Sequence, residues 1–432
     1  MTDLLHPCDE RRGVRPPLRG SHEIQGNVLA AFNKDHQLFR FVRFTDDGLA
    51  RTWLAAMLGH LSTTADVEDF NELFSLGRAV LGDDPPDVRA TWVNVALTPE
   101  ALVDLSINPA ATRRDLRAHF PHTAEQAARA NGDVADSAPA HWRFGRADQR
   151  VHAVVTVASD DPERLRSTER DLDVLDTLLG VTTVHEQRAA TLPGDQRGRE
   201  HFGYKVGISQ PGVRGFHRED PERPGHRLGR PGTPLVNAGE FVFGHPTETP
   251  RPPVAAWLVD GSIQVVRRLT QDVEGWRDAV EAAGLGPRLI GRHPDGRPLA
   301  ASSGDDFDYA DDPTGAVTPC PAHIRKTNPR SFTHRTPRQH RVLRRGIPFG
   351  PTDDRERGLF FAANCTSLAD QFEFIQQTWA RNPDHAPGER GAPTGVDAVI
   401  GGRFVRTTGA LYALVPSVST LRLLAAGREL PR

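Results

Sequence analysis

Residues 22–190 interleave short runs of alternating apolar and polar side chains with stretches of helical period, and this interleaving restricts the fold more than any other feature of the chain. Alternation with a period of two is what a sheet with two different faces requires, whereas a recurrence near 3.6 belongs to a helix packed on one side. Residues 38–44, 90–97, 152–158 and 181–189 read as strands. Residues 49–58, 66–81 and 161–179 read as helices, and Thr98-Pro99-Glu100 caps another over 101–105. Strand–helix–strand occurring twice predicts an α+β fold with a mainly antiparallel sheet and helices on one side. The second half repeats the style, with a strand opening at 239–244, strands at 261–269, 357–365 and 411–416, and helices at 271–283, 367–379 and the C-terminus. The expected division is an arm over 1–21, a domain over 22–200 and a second domain over 201–432, the halves reading as two related sandwiches in tandem. Gly- and Pro-rich stretches at 192–234 and 384–395 read as linker and loop.

Composition removes several function classes. The formal net charge of the 432 residues is -3, so no global field argues for nucleic acid or a membrane surface as partner. The cations are nearly all arginine, with lysine only at Lys34, Lys205 and Lys326. Three cysteines without paired spacing (Cys8, Cys320, Cys365) argue against a disulfide framework or a structural zinc site. The first residues lack the apolar core of a secretory signal, and no run of about 18 apolar residues exists, so the expectation is a soluble, cytoplasmic protein. Walker loops, GxSxG elbows and HExxH motifs are missing from the sequence.

The chemistry concentrates in residues 320–350, CPAHIRKTNPRSFTHRTPRQHRVLRRGIPFG. His323 follows a Cys-Pro break and opens a basic run containing Arg325, Lys326, Arg330, Arg341, Arg344 and Arg345. A histidine beside many cations suits an anionic, metal-centred cofactor, because imidazole ligates iron and arginine pairs bidentately with carboxylates. Taken singly, the same residues also fit a solvated basic face and an ordinary histidine; a nucleic-acid surface would want more aromatic side chains than Phe332. Arg344 and Arg345 start a strand, so their side chains point to opposite sides and one of them enters a pocket. The loop HFGYKVGISQP at 201–211 places Gly203 and Gly207 where backbone approaches a flat ligand, and a plain turn is the simpler alternative. The acidic set Asp305, Asp306, Asp308, Asp311 and Asp312 lacks calcium-loop spacing and reads as a solvated loop.

Read together, these pieces resemble the dye-decolourising peroxidases. The resemblance runs through IQGNVLAAF at 24–32, WVNVALT at 92–98, HFGYKVGISQP at 201–211, AGEFVFGH at 238–245 and GSIQVVRRLTQDV at 261–273. It continues through GRHPDGRPLA at 291–300, FDYADDP at 307–313, CPAHIRKTNPR at 320–330, RRGIPFGP at 344–351 and GLFFAANCTSLADQFEFIQQTW at 358–379. It implies two ferredoxin-like α+β domains with antiparallel sheets, and haem b (iron protoporphyrin IX) held mainly by the C-terminal half. His323 is then the iron ligand, Arg344 the catalytic arginine on the opposite side, and Leu359 and Phe361 the apolar wall of that distal pocket. Asp397 is the implied partner of the His323 ring N–H, and Arg325, Lys326 and Arg330 are candidates for the haem carboxylates. The implied partners are hydrogen peroxide or another oxidant and a small organic substrate, with a homo-oligomer left open. One departure is chemical: the family's Gly-x-x-Asp-Gly loop here reads Gly203-Tyr204-Lys205-Val206-Gly207, so Val206 stands where the family has a proton-transferring aspartate. Lys205 beside it is the available substitute, though solvent is the better expectation for its side chain. The reading is a haem-dependent oxidoreductase with weakened or altered peroxidase activity; the alternative is a non-catalytic haem-binding protein that keeps the fold.

Overall fold

The computed structural model describes residues 15–85, 87–301, 304–330, 338–353, 356–382 and 403–432. Eleven strands occur among them: β1 (His36–Arg43), β2 (Thr91–Leu97), β3 (Ala153–Ser159), β4 (Thr182–Ala190), β5 (Gly212–Val213), β6 (Leu235–Val236), β7 (Ser262–Gln271), β8 (Leu343–Arg344), β9 (Ile347–Phe349), β10 (Gly358–Cys365) and β11 (Val405–Val415). Nine form one sheet in the order β4-β1-β3-β2-β11-β7-β10-β8, with β9 also on β10; β5 and β6 make a separate parallel pair. Every pairing within the large sheet is antiparallel. The strands and helices read from 22–190 are present, each within a few residues of its expected ends.

The two α+β halves are therefore joined edge to edge in one antiparallel sheet. The joint is the β2–β11 pair, where Leu97 faces Leu414. Fully buried Gln25 closes it: its amide nitrogen donates to the carbonyls of Val95 (2.9 Å) and Pro416 (2.8 Å), and its amide oxygen accepts from Val95 N–H (2.8 Å).

Period-two alternation sorts the strand side chains between two cores. Leu38, Val42, Val93, Val95, Val155 and Ile263 pack under the helices Asp47–Met57, Pro162–Leu178 and Val418–Ala425. Phe39, Phe41, Val154, Val266 and Phe360 turn to the other face. There Phe39 of β1 stacks on Phe360 of β10 at 3.9 Å, although several strands lie between them in the sheet. Arg268 of β7 likewise reaches Gln187 of β4 (2.6 Å). The sheet is thus rolled, with the second core inside and the helices outside.

Three expectations differ. Residues 239–244 form a short 3-10 turn (Ala238–Glu240) instead of a strand, because buried Glu240 folds back to accept from Glu248 N–H (2.8 Å) and Arg251 (2.6 Å). The helix over 271–283 is one turn (Val273–Trp276) that widens into π geometry over Arg277–Glu281, and Leu368–Phe372 and Phe374–Ala380 are also π-type. The final strand starts at Val405, earlier than 411, extending along β7 through a bulge between Thr407 and Ala410.

Arg40 ties β1 to the outer layer. It is 2% exposed and donates to Asp173 (2.6 Å), Asp176 (3.0 Å) and Glu186 (2.6 Å), while Asp176 also accepts from the Trp53 indole (2.7 Å). Burial already pushes the Asp176 carboxyl above the usual range. Arg40→Met leaves buried carboxylate without its cation, so denaturant unfolding is expected to show a loss of about 3–5 kcal/mol; a loss under about 1 kcal/mol would show that the triad is dispensable.

Candidate haem site

Between the outer face of β7 and β10 and the helices that cover it lies a cavity of about 1510 Å³. That is larger than the roughly 300–1,000 Å³ of ordinary small-molecule pockets. Strand alternation aims Leu359 and Phe361 of β10 into it, while Gly358, Phe360 and Ala362 are buried. The helix His323–Thr327 enters from the other side. Its His323 and Thr327, four residues apart, share the cavity face, and the Thr327 hydroxyl donates to the His323 carbonyl (2.8 Å).

The same helical geometry turns Arg325 and Lys326 away from the cavity. Arg325 is fully buried, donates to Asp312 (3.1 Å) and the Thr318 carbonyl (2.7 Å), and lies over the Tyr309 ring at 4.6 Å. Lys326 donates to the Asn382 carbonyl. Neither lines the cavity, and both have internal partners. Arg330 does line it. Asp397 lies outside the described residues.

Only Arg344 of the pair belongs to β8, and both arginines line the cavity, where the sequence led to the expectation of one. Arg344 donates to the Ile208 carbonyl (2.6 Å), and its backbone exchanges hydrogen bonds with the Gln210 amide (2.8 and 3.2 Å). Arg345 makes four bonds, all to backbone carbonyls: Asn27, Val28, Leu29 and Arg344. Arg341 donates to the Ser209 carbonyl (2.8 Å). These three arginines are partly buried and all line the cavity. Burial is the main reason that all three lie below the usual arginine range, Arg341 at about 9 and Arg345 at about 10, and neighbouring arginines add to it.

In the acidic stretch Asp306, Asp308 and Asp311 are exposed, as a solvated loop would have them, but Asp305 and Asp312 are not. Asp305 pairs with both Arg292 and Arg330 and accepts from the Ser209 hydroxyl (2.7 Å). Burial raises its carboxyl, but Arg330 and Arg292 outweigh that and hold it below the usual range. Asp312 is taken by Arg325. Sequence reasoning missed Asp305, Arg292 and Arg341. Arg292 lies inside the GRHPDGRPLA piece, but nothing local marks a carboxylate at 305 as its partner.

On the 201–211 loop, Gly203 and Gly207 have φ of 94° and 77°, a conformation that favours glycine, and an added Cβ would meet nothing within 4 Å at either. Their role is conformational. Gly207 lines the cavity and Gly203 does not. Val206, 36% exposed, and the exposed Lys205 both line it. Glu200, at the loop base, is buried and accepts from Phe202 N–H (2.9 Å), Tyr204 N–H (3.0 Å) and the Gln271 amide.

Arg292, Arg330, Arg341, Arg344 and Arg345 are thus among the arginines that line the cavity, and Asp305 pairs with two of them, Arg292 and Arg330. Buried charge requires opposite charge, so the cavity calls for an anionic occupant. A flat macrocycle with two carboxylates and an iron that takes one imidazole fits this donor set. The fold and this site define a peroxidase-type haem oxidoreductase.

The comparisons give the family. Residues 23–193 match the model described as DyP dimeric alpha+beta barrel domain, and 253–390 match Dyp-type peroxidase, C-terminal. Dye-decolorizing peroxidase msp1 of Mycetinis scorodonius is 30% identical over 426 residues, 88% of this chain and 76% of that protein. Multifunctional dye peroxidase DyP2 of an Amycolatopsis species is 31% identical over 424 residues, 88% and 85% of the two chains. The solved structure of a mutant of the dye-decolorizing peroxidase from Pleurotus ostreatus superposes with a TM-score of 0.78 at 23% identity, covering 94% of this chain and 99% of that one. The chain belongs to the dye-decolourising peroxidase family. No helix among the described residues is long and apolar enough to cross a membrane.

Asp305→Asn leaves Arg292 and Arg330 without their shared carboxylate, and a loss of about 3–5 kcal/mol in chemical unfolding at pH 7 is expected. Because the folded Asp305 titrates below its unfolded value, its contribution is complete above an ordinary Asp pKa of about 3.9 and disappears as pH falls through the folded value. The gap between wild type and variant should therefore shrink at pH 3; a gap that is constant with pH would refute the ion-pair origin.

Proposed function

We propose that the chain binds haem b, with His323 as the iron ligand, and uses it to oxidise a small organic substrate with peroxide or a related oxidant, at a peroxide-activating step slowed by the loss of the distal carboxylate. The observation that carries this is the convergence of His323, Arg330, Arg344, Val206, Leu359 and Phe361 on one cavity rich in buried guanidinium. When bound, haem supplies the redox chemistry and the site at which peroxide is taken up. The haem carboxylates fit the field of Arg330, Arg292 and Arg341, of which Arg330 and Arg292 are braced by Asp305. Arg344, held by Ile208 and Gln210, stabilises negative charge as an O–O bond separates. Even lowered by burial, its guanidinium acts as an electrostatic clamp and is a poor base.

Peroxide cleavage also needs a proton taken from one oxygen and returned to the other. A carboxylate at position 206 serves both transfers, and valine serves neither. A positioned acid–base group contributes about 10²–10⁴-fold. Lys205 is exposed, which fits solvent contact.

The test is spectroscopic. Protein loaded with haem is expected to show a Soret band that His323→Ala loses; an unchanged band in the variant would sink the assignment of His323. On rapid mixing with peroxide, Val206→Asp should react about 10²–10⁴-fold faster than wild type, and Arg344→Ala slower. Equal rates for wild type and Val206→Asp would show that position 206 plays no part in proton transfer. No reaction in wild type with recovery in Val206→Asp would favour the non-catalytic haem-binding reading.

A further inference from the structure

Besides Leu359 and Phe361, the cavity is lined by residues of the loop after residue 211 and of the segment around residues 27–37, and the part that these two segments line is here termed the lobe. His217 borders this lobe. Its backbone N–H donates to the Val213 carbonyl (2.8 Å), and its Nδ1 accepts from Val213 N–H (2.8 Å). With Nδ1 accepting, the neutral ring carries its proton on Nε2. The residue is partly exposed and is one of those that line the cavity. Nε2–H is therefore the donor that the ring has left to offer a ligand in the cavity that His217 lines.

The surrounding charge is positive. Burial holds the imidazole well below its usual range, and the charges that act on it are those of Arg227, Arg19, Arg345 and Arg230. Three acids border the cavity nearby. Glu68 is already paired with Arg19 (3.5 Å), while Asp220 and Glu222 belong to the outer loop, where Asp220 accepts from Glu222 N–H (2.9 Å). Arg345 directs its hydrogen bonds to carbonyls, and the neighbouring charge that it feels is Arg344, another cation. Leu29, Phe32 and Phe216 give the lobe an apolar wall. At that wall Ala31 is held at a φ of 66°, a conformation that costs a non-glycine residue energy.

A neutral N–H donor, a net positive field and an apolar wall select one ligand chemistry. We infer that this lobe binds the organic substrate as an apolar-bodied carboxylate, of the class of aromatic acids, with its carboxylate accepting from His217 Nε2–H in the field of Arg345 and Arg230. His217 is then a specificity-determining residue, and a neutral analogue of the same shape is disfavoured. The inference rests on the haem reading above only in taking this ligand to be the reducing substrate.

The probes are 4-fluorobenzoate and 4-fluorobenzamide, titrated into haem-loaded protein and followed by fluorine NMR. The acid should bind at least about tenfold more tightly than the amide, the discrimination expected of a hydrogen bond to a charged group. His217→Phe should lower affinity for the acid by about tenfold and leave the amide unchanged, and paramagnetic relaxation of the bound fluorine should place it in the cavity that holds the iron. Equal binding of acid and amide to wild-type protein overturns the inference without relying on any variant, as does unchanged acid binding in a folded His217→Phe. A normal Soret band with no fluorobenzoate binding overturns the inference while the haem reading stands. A missing Soret band counts against the haem reading itself.

Discussion

One carboxylate organises the electrostatics of the cavity. Asp305 holds Arg292 and Arg330 and receives the Ser209 hydroxyl, so three chain segments meet on its two oxygens. Without it, Arg292 and Arg330 would lose their carboxylate partner, a costly change for buried charge. With it, the site keeps an excess of cations that is tolerable only if the occupant is anionic. The protein is in this sense built around a charge that it does not itself supply. The lowered range of Arg341, Arg344 and Arg345 reports the same deficit.

The sheet supplies the rigidity. Leu359 and Phe361 are placed by an uninterrupted ladder between β10 and β7, and Arg344 by the two-residue pairing of β8 with β10. Opposite them, His323 rides on a helix of one and a half turns whose neighbours Arg325 and Lys326 are engaged by Asp312 and the Asn382 carbonyl. Those two cations look like ligand contacts in the sequence because they adjoin the histidine. Helical rotation sends them to the far side, where they anchor the helix that presents it.

Much of this was legible in the chain. Alternating runs announced β1 to β4 with little error because their faces are buried on one side by helices and on the other by the rolled interior. Gly203 and Gly207 were legible as a tight turn because positive φ favours glycine. The edge-to-edge joint was not, since a single β2–β11 pairing and the buried amide of Gln25 leave no local signature. Asp305 was misread for a related reason: local composition shows five aspartates in eight positions, and only the fold brings Arg292 and Arg330 to one of them. His217 gave no sign at all, because its character depends on Val213 holding one nitrogen across an irregular loop.

The strand order carries a consequence for biogenesis. β11, residues 405–415, is the last strand in the chain, yet it lies in the middle of the sheet between β2 and β7. While the chain emerges from a ribosome, β2 and β7 each keep an open edge that only the final thirty or so residues can close. The N-terminal strands must wait through most of synthesis with one hydrogen-bonding edge exposed, a situation that invites pairing with other chains. Completion of the sheet, and with it the wall that carries Leu359 and Phe361, is thus a late event that depends on an intact C-terminus, and truncation there would cost the whole barrel, far more than its end.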